Sequence, residues 1–145
     1  MSDRKKSSYG PAWLAVCLSL ALHVLDEALN GFLSVYNPAA NAIRLRIPFL
    51  PLPVFTFGTW LRNLIIAIIL LLLLTPFTYR KSRWMAIIAY GFAILMTVNG
   101  LAHIAGSVYL GRLMPGVYSS PILVASSVFL FIKVRKLGES MANHV

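Results

Sequence analysis

Two acidic residues and two histidines stand inside long apolar stretches of this 145-residue sequence. Asp26 and Glu27 are adjacent, His23 precedes them, and Asn99 stands four positions before His103. Carboxyl and imidazole groups exchange protons and also bind metal ions. A charged residue in a bilayer costs about 2.5–3.5 kcal/mol, so such residues are rare and mostly face a bundle interior. These side chains therefore predict acid–base chemistry or metal binding within a membrane.

Helical spacing predicts that these residues share faces, because side chains three or four positions apart are neighbours on a helix. His23, Glu27 and Asn30 fall on one stripe, with Asp26 beside it. Asn99 and His103 would share a face of a second helix in the same way. The two stripes predict one site between two helices.

The composition explains why these helices would lie in a membrane. Hydrophobic residues make up 59% of the chain and charged residues only 12%, whereas about 25% of a soluble protein is charged. Four segments approach the roughly 20 apolar residues that cross a bilayer, at about 11–36, 57–76, 84–109 and 118–132. We therefore predict an all-α membrane protein, a four-transmembrane-helix bundle over 11–136 with tails at 1–10 and 137–145.

Basic residues predict the orientation of this bundle. Nine of the thirteen Lys and Arg residues form three clusters that flank the apolar segments, namely Arg4, Lys5, Lys6, Arg80, Lys81, Arg83, Lys133, Arg135 and Lys136. The positive-inside rule then places both termini in the cytoplasm of a multi-pass protein of the plasma (inner) membrane. The net charge of +9 is thereby explained without nucleic acid as a partner.

The outer connection at 37–56 contains four prolines among apolar residues. Proline at that density predicts that no regular helix forms there, and that the segment lies in the membrane interface or covers the helix ends as a lid. A short repeat relates Ser34-Val35-Tyr36 to Ser107-Val108-Tyr109. This repeat raises the alternative that the bundle consists of two parallel hairpin repeats.

Depth estimates favour one polar layer in the outer half of the bilayer. Glu27 lies six residues below Leu33, and His103 lies six below Tyr109, the residues taken as outer helix ends. At 1.5 Å per residue, both lie about 9 Å below those ends. Arg62, at a similar depth, offers the alternative of an ion pair with an acidic residue that only fixes helix packing.

The segments His23-Val-Leu-Asp26-Glu27 and Asn99-Gly-Leu-Ala-His103 resemble those of the HXXEE family of small bacterial membrane proteins. Pro115-Gly116 also fits that pattern. The sequence departs from it at Asp26, where the family has glutamate, which keeps the charge and shortens the side chain by one methylene group. The family is a domain of unknown function, so the resemblance implies a fold and a site without a reaction.

Three functions fit such a site. The first is acid–base catalysis on a lipophilic small molecule, by isomerisation, cyclisation or epoxide opening, with catalytic residues Asp26, Glu27, His23, His103 and Asn99. Substrate contacts would come from Asn30, Arg62, Asn63 and Trp60. The second is zinc or iron binding by His23, Glu27 and His103, with or without catalysis. The third is proton-coupled or ion-coupled transport, for which several copies could assemble into a homo-oligomer.

Overall fold

The computed structural model describes residues 8–80 and 82–142, and the secondary structure in this part of the chain is helical. Its six helices are α1 (Gly10–Leu29), α2 (Leu33–Arg46), α3 (Phe57–Leu73), α4 (Thr75–Tyr79), α5 (Arg83–Leu110) and α6 (Ser120–Ala142). The residues Arg4, Lys5, Lys6 and Lys81, used above to predict orientation, lie outside the described residues.

Within the described residues, three helical stretches are long and apolar enough to cross a membrane: α1, the nearly continuous α3–α4 stretch Phe57–Tyr79, and α5. Only 6% of the most apolar part of Phe57–Tyr79 is buried inside the protein. Its exposed surface includes Ile65, Ile66 and Leu73, which suits contact with lipid chains. The predicted membrane character of the chain is thus supported by helix length and composition.

The first helix lies at the centre of the structure, in contact with α3, α4, α5 and α6. Its residues Trp13, Val16 and Cys17 are almost completely buried. The Trp13 indole donates a hydrogen bond to the Leu71 carbonyl oxygen of α3 over 3.1 Å. Its ring packs against Phe92 of α5 with 5.2 Å between ring centroids. These contacts make α1 the element on which the others are assembled.

Helices α5 and α6 pack closely at Gly100. A Cβ atom at this position would lie 2.6 Å from Cγ2 of Val124 and 3.2 Å from the Ser120 carbonyl oxygen. Such distances are shorter than van der Waals contact, so any larger residue would push the helices apart. Gly100 thereby brings the first turn of α6 close to the half of α5 that carries His103.

The predicted first span, 11–36, is broken between α1 and α2. Gly31 has a φ of +72°, a left-handed conformation that glycine adopts without steric cost. The Phe32 N–H donates to the Glu27 carbonyl oxygen over 3.0 Å, which satisfies one of the last carbonyls of α1. The chain then changes direction into α2.

The prediction that prolines exclude a regular helix from 37–56 was wrong for its first part, because α2 continues through Pro38 to Arg46. One proline removes one helical hydrogen bond, whereas the three at 48, 51 and 53 follow the helix end, in a segment without regular secondary structure. Asn37 holds this non-helical segment on α2. Its amide donates to the Phe55 carbonyl oxygen over 2.9 Å and accepts from the Phe55 N–H over 3.1 Å.

The predicted hairpin repeat does not match the helices. Ser34-Val35-Tyr36 begins α2, whereas Ser107-Val108-Tyr109 ends α5, so the similar triplets occupy different structural positions. The predicted fourth span, 118–132, begins two residues before α6 and covers only its apolar part, because α6 continues to Ala142 through the basic residues that follow Ile132. The predicted tail therefore begins inside α6.

Candidate functional site

The polar residues singled out in the sequence meet where the end of α1 faces the middle of α5 and the turn before α6. His23, Glu27 and His103 are 1%, 6% and 5% exposed, respectively. The rings of the two histidines pack edge to face with 4.7 Å between centroids. The predicted convergence of the two helix faces is therefore present in the fold.

His103 is held by hydrogen bonds at both ring nitrogens. Its Nδ1 lies 2.6 Å from the Pro115 carbonyl oxygen, which can only accept, so Nδ1 carries a proton and donates it. Its Nε2 lies 3.1 Å from Oε1 of Glu27. One transferable proton must therefore lie between Glu27 and His103, on the carboxyl oxygen or on Nε2.

His23 has a similar arrangement. Its Nδ1 lies 2.9 Å from the Ser119 hydroxyl oxygen, and that hydroxyl donates its single proton to Asp26 over 2.8 Å. His23 Nδ1 must then be the donor to Ser119. This leaves Nε2 as an acceptor, which receives a hydrogen bond from the Asn99 amide over 3.2 Å and lies 3.6 Å from Glu27 Oε1.

Asp26 has different partners from its neighbour. Its Oδ2 accepts from the Ser119 N–H over 2.9 Å as well as from the Ser119 hydroxyl. Its Oδ1 accepts from the Asn30 side-chain amide over 2.8 Å. Ser119 immediately precedes α6, so the Asp26 carboxyl group caps the positive end of that helix. Asp26 thus joins α1 to α6 and supports His23 through Ser119.

Gly116 gives the two imidazole rings the space they occupy. A Cβ atom there would lie 2.8 Å from Nδ1 of His103 and 2.9 Å from Cε1 of His23. The residue also has a φ of +88°, which disfavours any side chain. Both constraints require glycine at this position.

Three ligand atoms of the site converge closely enough to hold a metal ion. These atoms, one each from His23, Glu27 and His103, all lie within 4.8 Å of one another. Two imidazole nitrogens and one carboxylate oxygen form a ligand set typical of zinc and iron(II). The same geometry without a metal holds a carboxyl group between two histidines, which suits proton transfer.

Three of the four residues predicted to contact a substrate fall into two groups. Asn30 supports Asp26 directly. Trp60 and Asn63 line a separate cavity of about 260 Å³ with Phe32, Tyr36, Phe55 and Leu64. Phe32 connects this cavity to the site, since its ring centroid lies 5.6 Å from that of His103.

Arg62 is exposed. Among the described residues, Glu27 lies closest to the imidazoles of His23 and His103, and Arg62 forms an ion pair with neither acidic residue of α1. The described residues therefore give no support to the alternative in which Arg62 neutralises the charge of Asp26 or Glu27.

Ser119 and the carbonyl of Pro115 were not among the predicted site groups. Pro115-Gly116 was recognised as part of a family pattern, but nothing in the residue types indicated that the Pro115 carbonyl would bind a histidine. A signal for Ser119 existed, because serine just before an apolar helix is a typical N-cap.

The predicted depth of Glu27 was wrong relative to its helix end. The estimate of about 9 Å assumed that the helix continues to Leu33, whereas α1 ends at Leu29. Glu27 is therefore two residues, or about 3 Å, from the end of its helix. His103 remains seven residues inside α5, so the site joins a helix end to a helix interior.

Comparison with known proteins gives one family. A search of curated proteins and a search of solved structures found no match. The model of a family described as proteins of unknown function with an HXXEE motif matches residues 13–130, which include every residue of the site described above. With most of its length matched, the chain belongs to the HXXEE family.

Proposed function

We propose that the chain crosses the plasma (inner) membrane four times with both termini in the cytoplasm. Three helices meet the length and composition required, and the apolar first half of α6 would supply the fourth crossing. Arg80 and Arg83 lie between α4 and the first turn of α5, and Lys133 lies in the second half of α6. These cations are at the opposite helix ends from Asp26 and Ser119, which suits a cytoplasmic basic side.

We further propose that the protein is a membrane-embedded enzyme that performs acid–base chemistry on a lipophilic substrate. One observation carries the proposal: Glu27 Oε1 faces Nε2 of both His23 and His103. The opposite nitrogen of each ring is already held by Ser119 or Pro115. A proton donor and a proton acceptor thus lie side by side, oriented and shielded from bulk water.

Proton transfer at this pair needs little movement. Glu27 and His103 share one proton over 3.1 Å, so the pair can give a proton to one substrate atom and take a proton from another. Isomerisation and cyclisation each need one donor and one acceptor, and epoxide opening needs a donor at the ring oxygen. Asp26 would act as a positioning residue, because its oxygens are occupied by Ser119 and Asn30.

The surroundings of the site favour a lipophilic substrate. Phe32 lies between His103 and the aromatic cavity of about 260 Å³ that includes Trp60. A second, almost wholly apolar groove of about 390 Å³ lies between α1 and α3, lined by residues such as Val24 and Leu61. Neither offers an acidic or basic lining residue, so both would accept hydrocarbon rather than a charged metabolite.

Solvent deuterium would test this proposal while the substrate is still unidentified. The full chain, in membranes of cells that produce it, is incubated in D₂O buffer, and the extracted lipids are analysed by mass spectrometry. Acid–base isomerisation, cyclisation or epoxide opening incorporates deuterium or D₂O into a lipid-soluble product. We expect such a product with the unchanged protein and at least a hundredfold less with Glu27→Gln.

The matched control is Glu139→Gln, which changes an exposed carboxylate paired with Arg135 and should leave the product unchanged. Equal deuterium incorporation by unchanged protein, Glu27→Gln and protein-free membranes would contradict the proposal.

A further inference from the structure

We infer that His23, Glu27 and His103 form a binding site for one divalent transition-metal ion of the zinc or iron(II) type. The inference rests on the proposed function, because such an ion would provide a Lewis acid at the same place in the fold. It goes further in assigning a ligand set, supporting residues and a class of metal.

The two distances from Glu27 fit a tetrahedral metal ion. With metal–ligand bonds of roughly 2.0–2.1 Å, two ligands of such an ion lie about 3.3 Å apart. The distance from Glu27 Oε1 is 3.1 Å to His103 Nε2 and 3.6 Å to His23 Nε2. Both values lie within a few tenths of an ångström of the required separation, and all three ligand atoms lie within 4.8 Å of one another.

The hydrogen bonds behind the two histidines also fit metal binding. A histidine that binds a metal through Nε2 usually donates its Nδ1 proton to a carbonyl or a carboxylate, which fixes the ring. His103 Nδ1 donates to the Pro115 carbonyl oxygen. His23 Nδ1 donates to Ser119, whose hydroxyl in turn binds the Asp26 carboxyl group. Both Nε2 atoms thereby point towards Glu27, where a metal ion would replace the proton shared with His103 and the hydrogen bond from Asn99 to His23.

The ligand types restrict the metal. Calcium and magnesium prefer six or more oxygen ligands, whereas imidazole nitrogen favours zinc, iron and their neighbours in the first transition row. Three protein ligands leave a fourth tetrahedral position for water or substrate, as in catalytic rather than structural zinc sites. The buried carboxylate of Glu27 would also offset part of the charge of the ion.

Replacement of Asn99 distinguishes a metal site from a cluster that is only held together by hydrogen bonds, because the two would respond differently. Its amide donates to His23 Nε2 over 3.2 Å, and this is the lone pair that a metal would use. Loss of this donor weakens a hydrogen-bonded cluster but removes a competitor of the metal. Asn99→Ala should therefore bind metal as tightly as the unchanged protein, or more tightly.

The experiment uses the full chain, purified in detergent through a tag without histidine, stripped with a chelator and titrated with Zn²⁺ or with Co²⁺. We expect one ion per chain and intense Co²⁺ absorption between about 500 and 700 nm, typical of a four-coordinate site. His103→Gln should weaken binding at least a hundredfold and Asp26→Asn about ten- to a hundredfold. His144→Ala changes the third histidine of the chain, outside the family match, and should leave binding unchanged.

Two results would overturn the inference: no stoichiometric Zn²⁺ or Co²⁺ in the unchanged protein, or equal affinities for His103→Gln and His144→Ala. Because the Co²⁺ spectrum is measured on the unchanged protein, a variant that fails to fold does not prevent the test. Metal binding and deuterium incorporation can also fail separately. Deuterated product from metal-free protein would retain the acid–base proposal alone, and a bound ion without any product would retain the metal site alone.

Discussion

Asp26 and Glu27 are adjacent in α1, yet their carboxyl groups bind different parts of the molecule. Asp26 accepts hydrogen bonds from Ser119 at the start of α6, whereas Glu27 faces the Nε2 atoms of His23 and His103. Consecutive helical residues point about 100° apart, and this angle directs Asp26 to the start of α6 and Glu27 to the two imidazoles. The difference in partners is the basis of the roles proposed above, positioning for Asp26 and chemistry for Glu27.

This difference predicts unequal effects on stability. Asp26→Asn replaces one acceptor oxygen by an amide donor at the α6 cap, so we expect a loss of about 1–3 kcal/mol in the free energy of unfolding. Glu27→Gln keeps an acceptor near His103 and should cost less than about 1 kcal/mol. The midpoint of thermal unfolding in detergent measures both. A larger loss for Glu27→Gln than for Asp26→Asn would contradict the assigned roles.

Gly116→Ala should distort the site. The new Cβ atom would meet the rings of His103 and His23 at less than 3.0 Å, and a φ of +88° adds strain of about 1–2 kcal/mol. We expect a markedly lower unfolding temperature. The matched control is Gly91→Ala in α5, where a Cβ atom has no neighbour within 4 Å among the described residues and helix propensity improves by about 1 kcal/mol. Equal unfolding temperatures for the two variants would show that Gly116 is not constrained.

Asn37→Ala should release the non-helical segment at 47–56. It removes both hydrogen bonds to the backbone of Phe55, whereas Tyr36 retains its hydrogen bond to the Pro53 carbonyl oxygen. Chymotrypsin should therefore cut more rapidly near Phe49, which is already 86% exposed. Asn41→Ala changes an exposed asparagine of the same helix and serves as the control. An unchanged cleavage rate in Asn37→Ala would show that other contacts hold the segment.

Ser127→Ala should stabilise the protein. The Ser127 hydroxyl is buried without a hydrogen-bond partner among the described residues, and an unsatisfied buried polar group costs about 1–3 kcal/mol. Alanine removes that group and leaves the helix unchanged. The neighbouring Ser126 donates to the Leu123 carbonyl oxygen over 3.0 Å, so Ser126→Ala should give no gain. The prediction fails if Ser127→Ala lowers the unfolding temperature.

The helices and the main site residues could be predicted because both follow from local properties of the chain. Apolar length locates α1, α3 and α5, and the spacing of His23 to Glu27 places both on one helix face. The site could be assigned to the right pair of helices because polar side chains in apolar helices usually face the bundle interior and pair with one another. These inferences use residue type and spacing alone.

The remaining features depend on contacts that residue types do not encode. The end of α1 depends on the left-handed backbone at Gly31. Because the helix ends earlier than predicted, Glu27 lies closer to the helix end than the sequence indicated. The roles of Ser119 and Pro115 depend on how closely α6 approaches α5 at Gly100. Asp26 and Glu27 are adjacent acidic residues with the same functional group, so the sequence does not distinguish them. Their different partners in the fold distinguish them.

The most direct test of the separate roles of Asp26 and Glu27 is to label the full chain in membranes with a hydrophobic carbodiimide. This reagent needs a carboxyl oxygen and a transferable proton together, a combination that Glu27 and His103 provide over 3.1 Å. Fragmentation mass spectrometry then locates the adduct. Our account predicts modification of Glu27, with Asp26 unmodified and with at least tenfold less adduct in His103→Gln. An adduct on Asp26 with Glu27 unmodified would contradict it.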